Sequence, residues 1–365
     1  MNFKRIRSTL RAVLLPALVA ATFSAQAGPF SGLYIFGDSL SDTGNLSIAT
    51  GGFAPGTGDI AGIVQPYAPG RYTNGPNGKL WVETFASGLG LAGQAAPALA
   101  GGNNFAFAGA RTGVSGIGEP LGVLSQAIGL WGQGALVPNP ARADPNALYV
   151  VVGGGNDMRD ARLISTGNAA TDAVARQVAA LTAINNLANT IGYLAASGAR
   201  NVLISTLPDL GATPEAFFLG NKAASTDVSN RFNALVQGLF SLEQVFAGLN
   251  IELLDMAAVA ANVRSNPLDF GVTNTDLPCN GFAGSGPVGP SGTFVGADCG
   301  TSLFSDALHP SAFAHRLIGE AALAVYGVPV PGTLALMALA LVLLVLVQRR
   351  RVGVAQPAGF RSVAP

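Results

Sequence analysis

The sequence is poor in charged side chains and in residues that bind metals. Only 11% of its 365 residues are Asp, Glu, Lys or Arg, and the chain has two histidines and two cysteines. It contains no His-x-x-x-His pair, so it lacks the ligand pair of helical zinc hydrolases. It also contains no Gly-x-Ser-x-Gly motif, which excludes the usual nucleophile turn of α/β-hydrolases.

Basic residues are concentrated near the two ends of the chain. Eight of the 20 lysines and arginines lie in residues 1–27 or after residue 348, where there is no Asp or Glu. The region between them therefore has 12 basic and 20 acidic side chains. This negative balance argues against a nucleic-acid partner.

Residues 1–27 have the layout of a secretory signal peptide. Four basic residues lie in the first part of this segment, and the apolar run Ala12–Phe23 follows them. Ala25-Gln26-Ala27 then supplies small residues at the cleavage-defining positions. An uncleaved membrane anchor is the alternative, although the apolar run is shorter than a membrane span. We therefore expect an exported protein whose folded domain covers residues 28–328.

Residues 329–351 form a second targeting segment, and residues 352–365 form a tail. Pro329-Val330-Pro331 precedes an uncharged run from Thr333 to Val347, and Arg349-Arg350-Arg351 follows. The layout is similar to the PEP-CTERM sorting signal of Gram-negative bacteria, which implies a sorting machinery as partner. A plain membrane anchor is the alternative, with the large domain outside the cytoplasm. Either interpretation predicts a protein of the cell envelope or the extracellular space.

The two cysteines flank a loop that is rich in Gly, Pro and Ser. In an exported protein, Cys279 and Cys299 are expected to pair as a disulfide. Closing a loop of this size contributes roughly 3 kcal/mol in the chain-entropy account. Two free thiols are the alternative, and a metal site is disfavoured because no second ligand pair lies nearby.

Short apolar runs that alternate with helical patterns predict an α/β domain. Three of the runs are apolar almost throughout, which is typical of central strands in a parallel sheet covered on both faces. We expect a three-layer α/β/α sandwich with a mostly parallel five-stranded sheet. The predicted strands are Leu33–Phe36, Asn104–Phe107, Leu148–Val152, Asn201–Thr206 and Ile251–Asp255, and the predicted helices are Lys79–Leu89, Ala169–Ala196, Asp227–Leu249 and Ser311–Tyr326.

A serine lies at the carboxyl end of the first predicted strand, where ligands bind in open α/β sheets. Ser39 needs an adjacent base to become a nucleophile. His309 follows Asp306 by three residues, a spacing that lets the carboxylate fix the tautomer of the imidazole. His315 lies six residues after His309, a spacing that does not place two residues on the same face of a helix. It is therefore expected to have a structural role.

Two segments could supply hydrogen-bond donors to a tetrahedral oxyanion. Asn104–Ala110 includes Gly109, whose backbone N–H can approach a substrate closely. Gly153–Asp157 includes Asn156, at the end of another predicted strand. Taken alone, each segment is more simply an ordinary turn, because Gly and Asn are common turn residues.

Together, these segments resemble the GDSL (SGNH) family of esterases and lipases. The four blocks of that family match in order: Gly-Asp-Ser at Ser39, a glycine at Gly109, Gly-x-Asn-Asp at residues 154–157, and Asp-x-x-His at residues 306–309. Residues 70–75 and 207–214 are similar to a branch that includes plant GDSL lipases and bacterial secreted or autotransporter esterases.

The resemblance implies a flavodoxin-like sheet and a role for each matched residue. Ser39 is the nucleophile, His309 the base and Asp306 its orienter, while the backbone amides of Ser39 and Gly109 and the side chain of Asn156 form the oxyanion hole. It implies no cofactor and no metal, and a small-molecule or lipid ester as substrate. The other aspartates in these motifs are interpreted as scaffolding: Asp38, Asp42 and Asp157.

Three functions remain open from the sequence. The first is an exported serine esterase or lipase that forms an acyl-enzyme on Ser39. The second is an acyltransferase that passes the acyl group to a lipid or sugar hydroxyl at the same site. The third is a non-catalytic protein that binds envelope polysaccharide or exopolysaccharide, which the presence of every catalytic residue type disfavours.

Overall fold

The computed structural model describes residues 28–51, 70–75, 77–116, 118–279 and 298–329. The predicted signal peptide and residues 330–365 of the predicted C-terminal segments lie outside these ranges. The strands within these ranges are β1 (Leu33–Phe36), β2 (Leu148–Val151), β3 (Asn201–Ser205), β4 (Asn250–Leu254), β5 (Asn274–Pro278) and β6 (Ser302–Phe304). Four of them form the central parallel sheet in the order β1-β2-β3-β4, and β5 and β6 form a separate parallel pair.

The helices of the described residues lie on both faces of the sheet. None of them is both long enough and apolar enough to cross a membrane. The helical structure is irregular at two places: α3 (Val123–Ser125) continues as a π-helix over Gln126–Trp131, and a 3₁₀ turn over Gln237–Ser241 separates α7 (Lys222–Val236) from α8 (Leu242–Val245). The helices are α1 (Asn45–Ala49), α2 (Trp81–Gly88), α3 (Val123–Ser125), α4 (Gly155–Ala161), α5 (Ala169–Ala196), α6 (Pro214–Phe218), α7 (Lys222–Val236), α8 (Leu242–Val245), α9 (Met256–Ser265) and α10 (Ala312–Val325).

Alternate side chains of the strands enter two separate cores. Phe36 and Val151 pack on one face with residues of α5 and α7, including Leu187. Ile35 and Val150 pack on the other face with residues of α2 and α10. Because successive side chains of a strand point to opposite faces, one run of apolar residues serves both cores. The predicted α/β/α sandwich with a parallel sheet is confirmed.

The predicted fifth strand, Asn104–Phe107, runs beside β1 but does not form a regular strand. The N–H groups of Phe105 and Phe107 donate to the carbonyl oxygens of Ile35 and Gly37 at 2.7 and 3.1 Å. The N–H of Gly37 instead donates to Oε1 of Gln126 at 2.8 Å. The ladder therefore stops after one bridge, and in the described part of the chain the central sheet has four strands rather than the predicted five.

The predicted helix Asp227–Leu249 is wrong at both ends. The structure starts α7 at Lys222, within a polar stretch without the large apolar residues on which the prediction depended. It ends α7 at Val236, because Gly238 falls in the next turn and glycine disfavours helix. The sequence does not predict β5 and β6, since β5 is mostly polar and β6 has only three residues.

Candidate active site

Three side chains from distant parts of the sequence meet at the carboxyl edge of the sheet. The Nε2 atom of His309 lies 2.9 Å from Oγ of Ser39, and its Nδ1 atom lies 2.7 Å from Oδ2 of Asp306. The other oxygen of Asp306 accepts the backbone N–H groups of Leu308 and His309 at 2.7 and 2.6 Å. With Nδ1–H donating to Asp306, Nε2 is the free acceptor for the proton of Ser39.

Ser39 lies in a tight turn that begins directly after β1. The N–H groups of Ser41 and Asp42 donate to the carbonyl oxygen of Asp38 at 3.0 and 2.9 Å, so the chain reverses around the serine. Because β1 is buried up to Phe36, the turn places the hydroxyl just beyond the end of the sheet. This is the position at which open α/β sheets bind their ligands.

Asp42 connects the serine turn to the segment that carries Gly109. Its carboxylate accepts three successive N–H groups at the start of α1 (residues 44–46), and it accepts the N–H of Ala108 at 2.8 Å. Burial raises the pKa of Asp42, while these N–H donors stabilise its ionised form. Asp42 thus makes the scaffolding contacts that the sequence interpretation expects of it.

Two backbone N–H groups predicted for the oxyanion hole are uncommitted. Within the described part of the chain, neither the N–H of Ser39 nor that of Gly109 donates a hydrogen bond. Gly109 has a φ of 80° in a turn closed by a 3.1 Å hydrogen bond from Ala110 to Phe107. That left-handed conformation favours glycine, so the turn depends on this residue.

The side-chain amide of Asn156 is oriented by contacts at both ends. Its Nδ2 atom donates to the carbonyl oxygen of Ala110 at 2.9 Å, and its Oδ1 atom accepts from Nη1 of Arg159 at 3.4 Å. An amide has two N–H donors, and the second has no acceptor among the described residues. Asn156 lines the same cavity as Ser39 and His309, so the second donor is available to a bound oxyanion.

The turn that carries Asn156 requires glycine at position 154, and Asp157 joins it to Thr112 by hydrogen bonds. Gly154 has a φ of 107°, and a Cβ atom there would lie 2.4 Å from the ring of Phe232. The carboxylate of Asp157 accepts from the backbone N–H and the hydroxyl of Thr112 at 3.0 and 2.8 Å. Burial raises the pKa of Asp157. Its contacts are those of a scaffolding residue.

Asp38 is a buried carboxyl group next to the nucleophile. It is 5% exposed, and its Oδ1 atom accepts the N–H of Leu40 at 3.0 Å. Burial raises the pKa of Asp38 to about 6, although the Leu40 N–H and His309 act in the opposite direction. Asp38 is therefore partly protonated near pH 6, and it places less negative charge beside Ser39 than an exposed aspartate would.

Residues 70–75, one of the segments that resemble the family, pack against the Asp-x-x-His turn. The ring centroid of Tyr72 lies 4.6 Å from that of His309. Just after this turn, the hydroxyl of Thr73 donates to the carbonyl oxygen of Pro310 at 3.3 Å, and the N–H of Ala312 donates to Oδ1 of Asn74 at 2.7 Å. The segment therefore restrains the imidazole and the start of α10.

His315 takes no part in the cluster. It is fully buried, and its Nδ1 atom accepts the N–H of Trp81, the first residue of α2, at 3.3 Å. Burial lowers the pKa of His315 to about 3, so the ring stays neutral. It joins α10 to the N-terminus of α2, as a structural residue would.

Cys279 and Cys299 are joined by a disulfide. The N–H of Cys279 donates to the carbonyl oxygen of Phe304 at 2.9 Å. Phe304 ends β6, two residues before Asp306. The bridge therefore lies beside the strand that leads into the Asp-x-x-His turn.

Glu215 connects the Asp-x-x-His turn to the helix that carries Asn156, and the sequence does not predict this role. Its N–H donates to the carbonyl oxygen of Ala307 at 2.7 Å, inside the Asp-x-x-His turn. Its carboxylate pairs with Arg159 at 2.6 Å and with Arg162 at 2.7 Å, and Arg159 contacts Asn156. Although burial acts to raise it, the two guanidinium groups lower the pKa of Glu215. Thr213 and Pro214 are typical of the start of a helix, and an acidic residue is favourable in the first turn of a helix. The sequence around Glu215 therefore gives no indication of a functional role.

We expect Asn156→Ala to lower kcat by about 10²- to 10³-fold with little change in KM, because the lost donor acts on the oxyanion. The isosteric variant Asn156→Asp keeps the shape but replaces the donor with a negative oxygen, so its kcat should fall at least as far. Steady-state hydrolysis of one soluble ester measures both. Wild-type kcat in Asn156→Asp would exclude this residue from the oxyanion hole.

We expect Glu215→Gln to lower kcat by about tenfold with KM nearly unchanged, because Arg159 then orients Asn156 less well. The variant should also lose about 3 kcal/mol of stability, since the side chain of Arg162 is only 3% exposed and loses its counter-charge. Kinetics measured below the unfolding transition separate the two effects.

The control for Glu215→Gln is Asp160→Asn, which removes an exposed ion pair with Arg111 at the surface of α4. Exposed pairs contribute little, so its kcat and melting temperature should stay close to those of the wild type. A Glu215→Gln variant that is destabilised but keeps full kcat would show that the residue acts on folding alone.

A serine whose hydroxyl contacts a carboxylate-held imidazole is the arrangement that defines serine hydrolases, which work by acyl transfer. Within the described residues, no group of three or more His, Cys, Asp or Glu side chains is placed to hold a metal ion. The chain belongs to the GDSL-like Lipase/Acylhydrolase family, whose model matches residues 33–322. The resemblance stated from the sequence is therefore confirmed.

Several characterised relatives are esterases or lipases. Esterase EstA of Pseudomonas aeruginosa is 29% identical over 344 residues, which cover 86% of this chain and 50% of the esterase. Lipase 1 of Photorhabdus luminescens is 26% identical over 386 residues, covering 87% and 54%. The chain thus spans about half the length of these two relatives. Est24, a carbohydrate acetylesterase from Sinorhizobium meliloti, aligns with 81% of this chain and 98% of its own at 15% identity and a TM-score of 0.40.

Proposed function

We propose that the protein is an exported serine esterase that hydrolyses carboxylic esters through an acyl-enzyme. The observation that carries the proposal is the continuous set of contacts from Asp306 through His309 to Ser39, which opens into a cavity. A hydroxyl group in this arrangement has both a proton acceptor and a fixed orientation. Family membership supports an ester as the substrate.

The first half of the reaction forms the acyl-enzyme. Nε2 of His309 takes the proton of Ser39 while Oγ bonds to the carbonyl carbon, and the carbonyl oxygen becomes an oxyanion. The N–H groups of Ser39, Gly109 and Asn156 bind that oxygen. When the tetrahedral intermediate collapses, the bond to the alcohol oxygen breaks, and His309 gives its proton to the leaving alcohol.

The second half releases the acid. A water molecule gives a proton to Nε2 of His309, and its oxygen bonds to the acyl carbon. The bond to Oγ of Ser39 then breaks, His309 returns the proton to the serine, and the carboxylic acid leaves. Asp306 stays ionised and stabilises the imidazolium in both halves.

An acyltransferase at the same site is the second candidate, because an alcohol can replace water in the second half. Similarity to the phosphatidylcholine-sterol acyltransferase of Aeromonas hydrophila favours considering it: the two chains are 28% identical over 285 residues, covering 74% of this chain and 72% of the relative. In that reaction His309 would take its proton from the acceptor hydroxyl.

Hydrolysis of p-nitrophenyl butyrate, with and without added glycerol or sterol, tests the two candidates. The esterase proposal predicts free acid as the main product in both cases. Diversion of most product to a new ester would favour acyl transfer. Binding of envelope polysaccharide without ester turnover would overturn both in favour of a non-catalytic role.

Export and attachment to the envelope remain part of the proposal. The disulfide supports export, because such bonds persist mainly in oxidising compartments. The layouts of residues 1–27 and 329–351 support cleavage by a signal peptidase and sorting or anchoring at the C-terminus. Mass spectrometry of the exported protein should find its N-terminus at Gly28, and a retained Met1 would contradict the proposal.

A further inference from the structure

A cavity of about 510 Å³ begins at the catalytic residues and continues between α9, α10 and β6. Ser39, Asn156 and His309 line one end of it. The volume lies within the range of pockets that hold small molecules. Beyond the catalytic end the walls are predominantly apolar, and they include Ala257, Ala260, Val263, Leu303, Phe304 and Leu317.

The cavity exists because two groups of core residues do not meet. Met256 and Ile318 belong to the core between the sheet and α10, whereas Val263 and Leu303 belong to a small separate cluster. Between them α9 presents alanines, whose short side chains leave the space open. Larger residues on this face of α9 would fill the cavity.

The guanidinium groups on the lining are ion-paired, and its two carboxyl groups accept hydrogen bonds. Arg159 forms an ion pair with Glu215, and Arg264 forms one with Asp276. Asp38 and Asp209 each accept a backbone N–H group of their own turn. The cavity therefore offers a hydrocarbon chain apolar contact, and it offers a charged ligand few unpaired partners.

We propose that this cavity binds the acyl chain of the substrate, so that the preferred substrates are esters of long unbranched fatty acids. The inference rests on the proposed esterase function. Each methylene that enters the cavity should raise kcat/KM by up to about fourfold. The acyl group stays bonded to Ser39 after the alcohol has left, so contacts of the cavity wall with the acyl chain persist through both halves of the reaction.

The test uses p-nitrophenyl esters with acetyl, butyryl, octanoyl and dodecanoyl groups, and the variant Ala260→Leu. Ala260 is half-buried and lines the cavity, and leucine is also a good helix former. We expect the wild-type kcat/KM to rise from acetyl to dodecanoyl. Ala260→Leu should lose about 10- to 100-fold on the dodecanoyl ester and keep its rate on the acetyl ester.

The matched control is Ala258→Leu, which makes the same change on the same helix at an exposed position off the cavity lining. It should keep the wild-type chain-length profile. Ser39-dependent turnover that falls steadily from the acetyl ester upward, or an Ala260→Leu profile equal to that of the wild type, would overturn the acyl-chain inference and leave the esterase proposal intact. A rate that depends on the alkyl group of acetate esters instead would assign the cavity to the alcohol.

A binding measurement separates the two proposals if turnover fails. The Ser39→Ala variant is titrated with monododecanoylglycerol, with and without Ala260→Leu. Binding that Ala260→Leu weakens at least tenfold supports the apolar-chain site, even if the wild type hydrolyses no ester. Absence of binding, or equal binding by both proteins, would overturn the site whatever the fate of the esterase proposal.

Discussion

Replacing Ser39 with alanine is expected to abolish ester turnover, with kcat falling by about 10⁴- to 10⁶-fold. The hydroxyl oxygen lies 2.9 Å from the imidazole and is the atom that would carry the acyl group. Without it, the cavity can bind an ester but cannot form the covalent intermediate. Steady-state assays with a soluble p-nitrophenyl ester measure the loss, and thermal unfolding checks that the variant is folded.

Ser41→Ala provides a control two residues away. Ser41 is fully buried, and its hydroxyl has no hydrogen-bond partner among the described residues. Its removal therefore takes nothing from the catalytic contacts, and turnover should stay close to the wild-type value. Loss of activity in Ser41→Ala with full activity in Ser39→Ala would reverse the assignment of the nucleophile.

The variant Asp306→Asn is expected to lower kcat by about 10⁴-fold. Asparagine keeps an oxygen for the N–H groups of Leu308 and His309, so the turn should survive. Its amide, however, donates toward Nδ1, which favours the tautomer that carries the proton on Nε2. That imidazole cannot accept the proton of Ser39.

Combining this change with Ser39→Ala tests whether the residues act as one unit. The double variant should be no slower than Ser39→Ala alone, because residues of one catalytic unit show strongly non-additive effects. A full second loss of about 10⁴-fold in the double variant, or wild-type kcat in Asp306→Asn, would contradict the role of Asp306.

The sequence predicts the layers of the fold well and the sheet edge less well. Central strands such as Leu148–Val151 are recognisable because both faces are buried and the run is apolar throughout. The segment Asn104–Phe107 fails as a strand because one side-chain oxygen, on Gln126, takes the N–H that the ladder needs. That competition depends on contacts between distant residues, which local pattern does not contain.

The same contrast holds in the site. Ser39, Asp306 and His309 could be selected because histidine is rare in this chain and the motifs are short and characteristic. Glu215 could not be selected, since it contacts the site only through Arg159 and the backbone of Ala307. The cavity proposed to bind the acyl chain could not be predicted from the sequence either, because it depends on how α9 packs beside α10.

The most direct test of the account is to trap the acyl-enzyme. The protein is mixed with a p-nitrophenyl ester, quenched with acid during the first turnovers, digested and analysed by mass spectrometry. The account predicts one acyl group, bonded to the peptide that contains Ser39 and absent from the Ser39→Ala variant. An acyl group on any other residue, or rapid turnover with no acylated peptide at all, would contradict it.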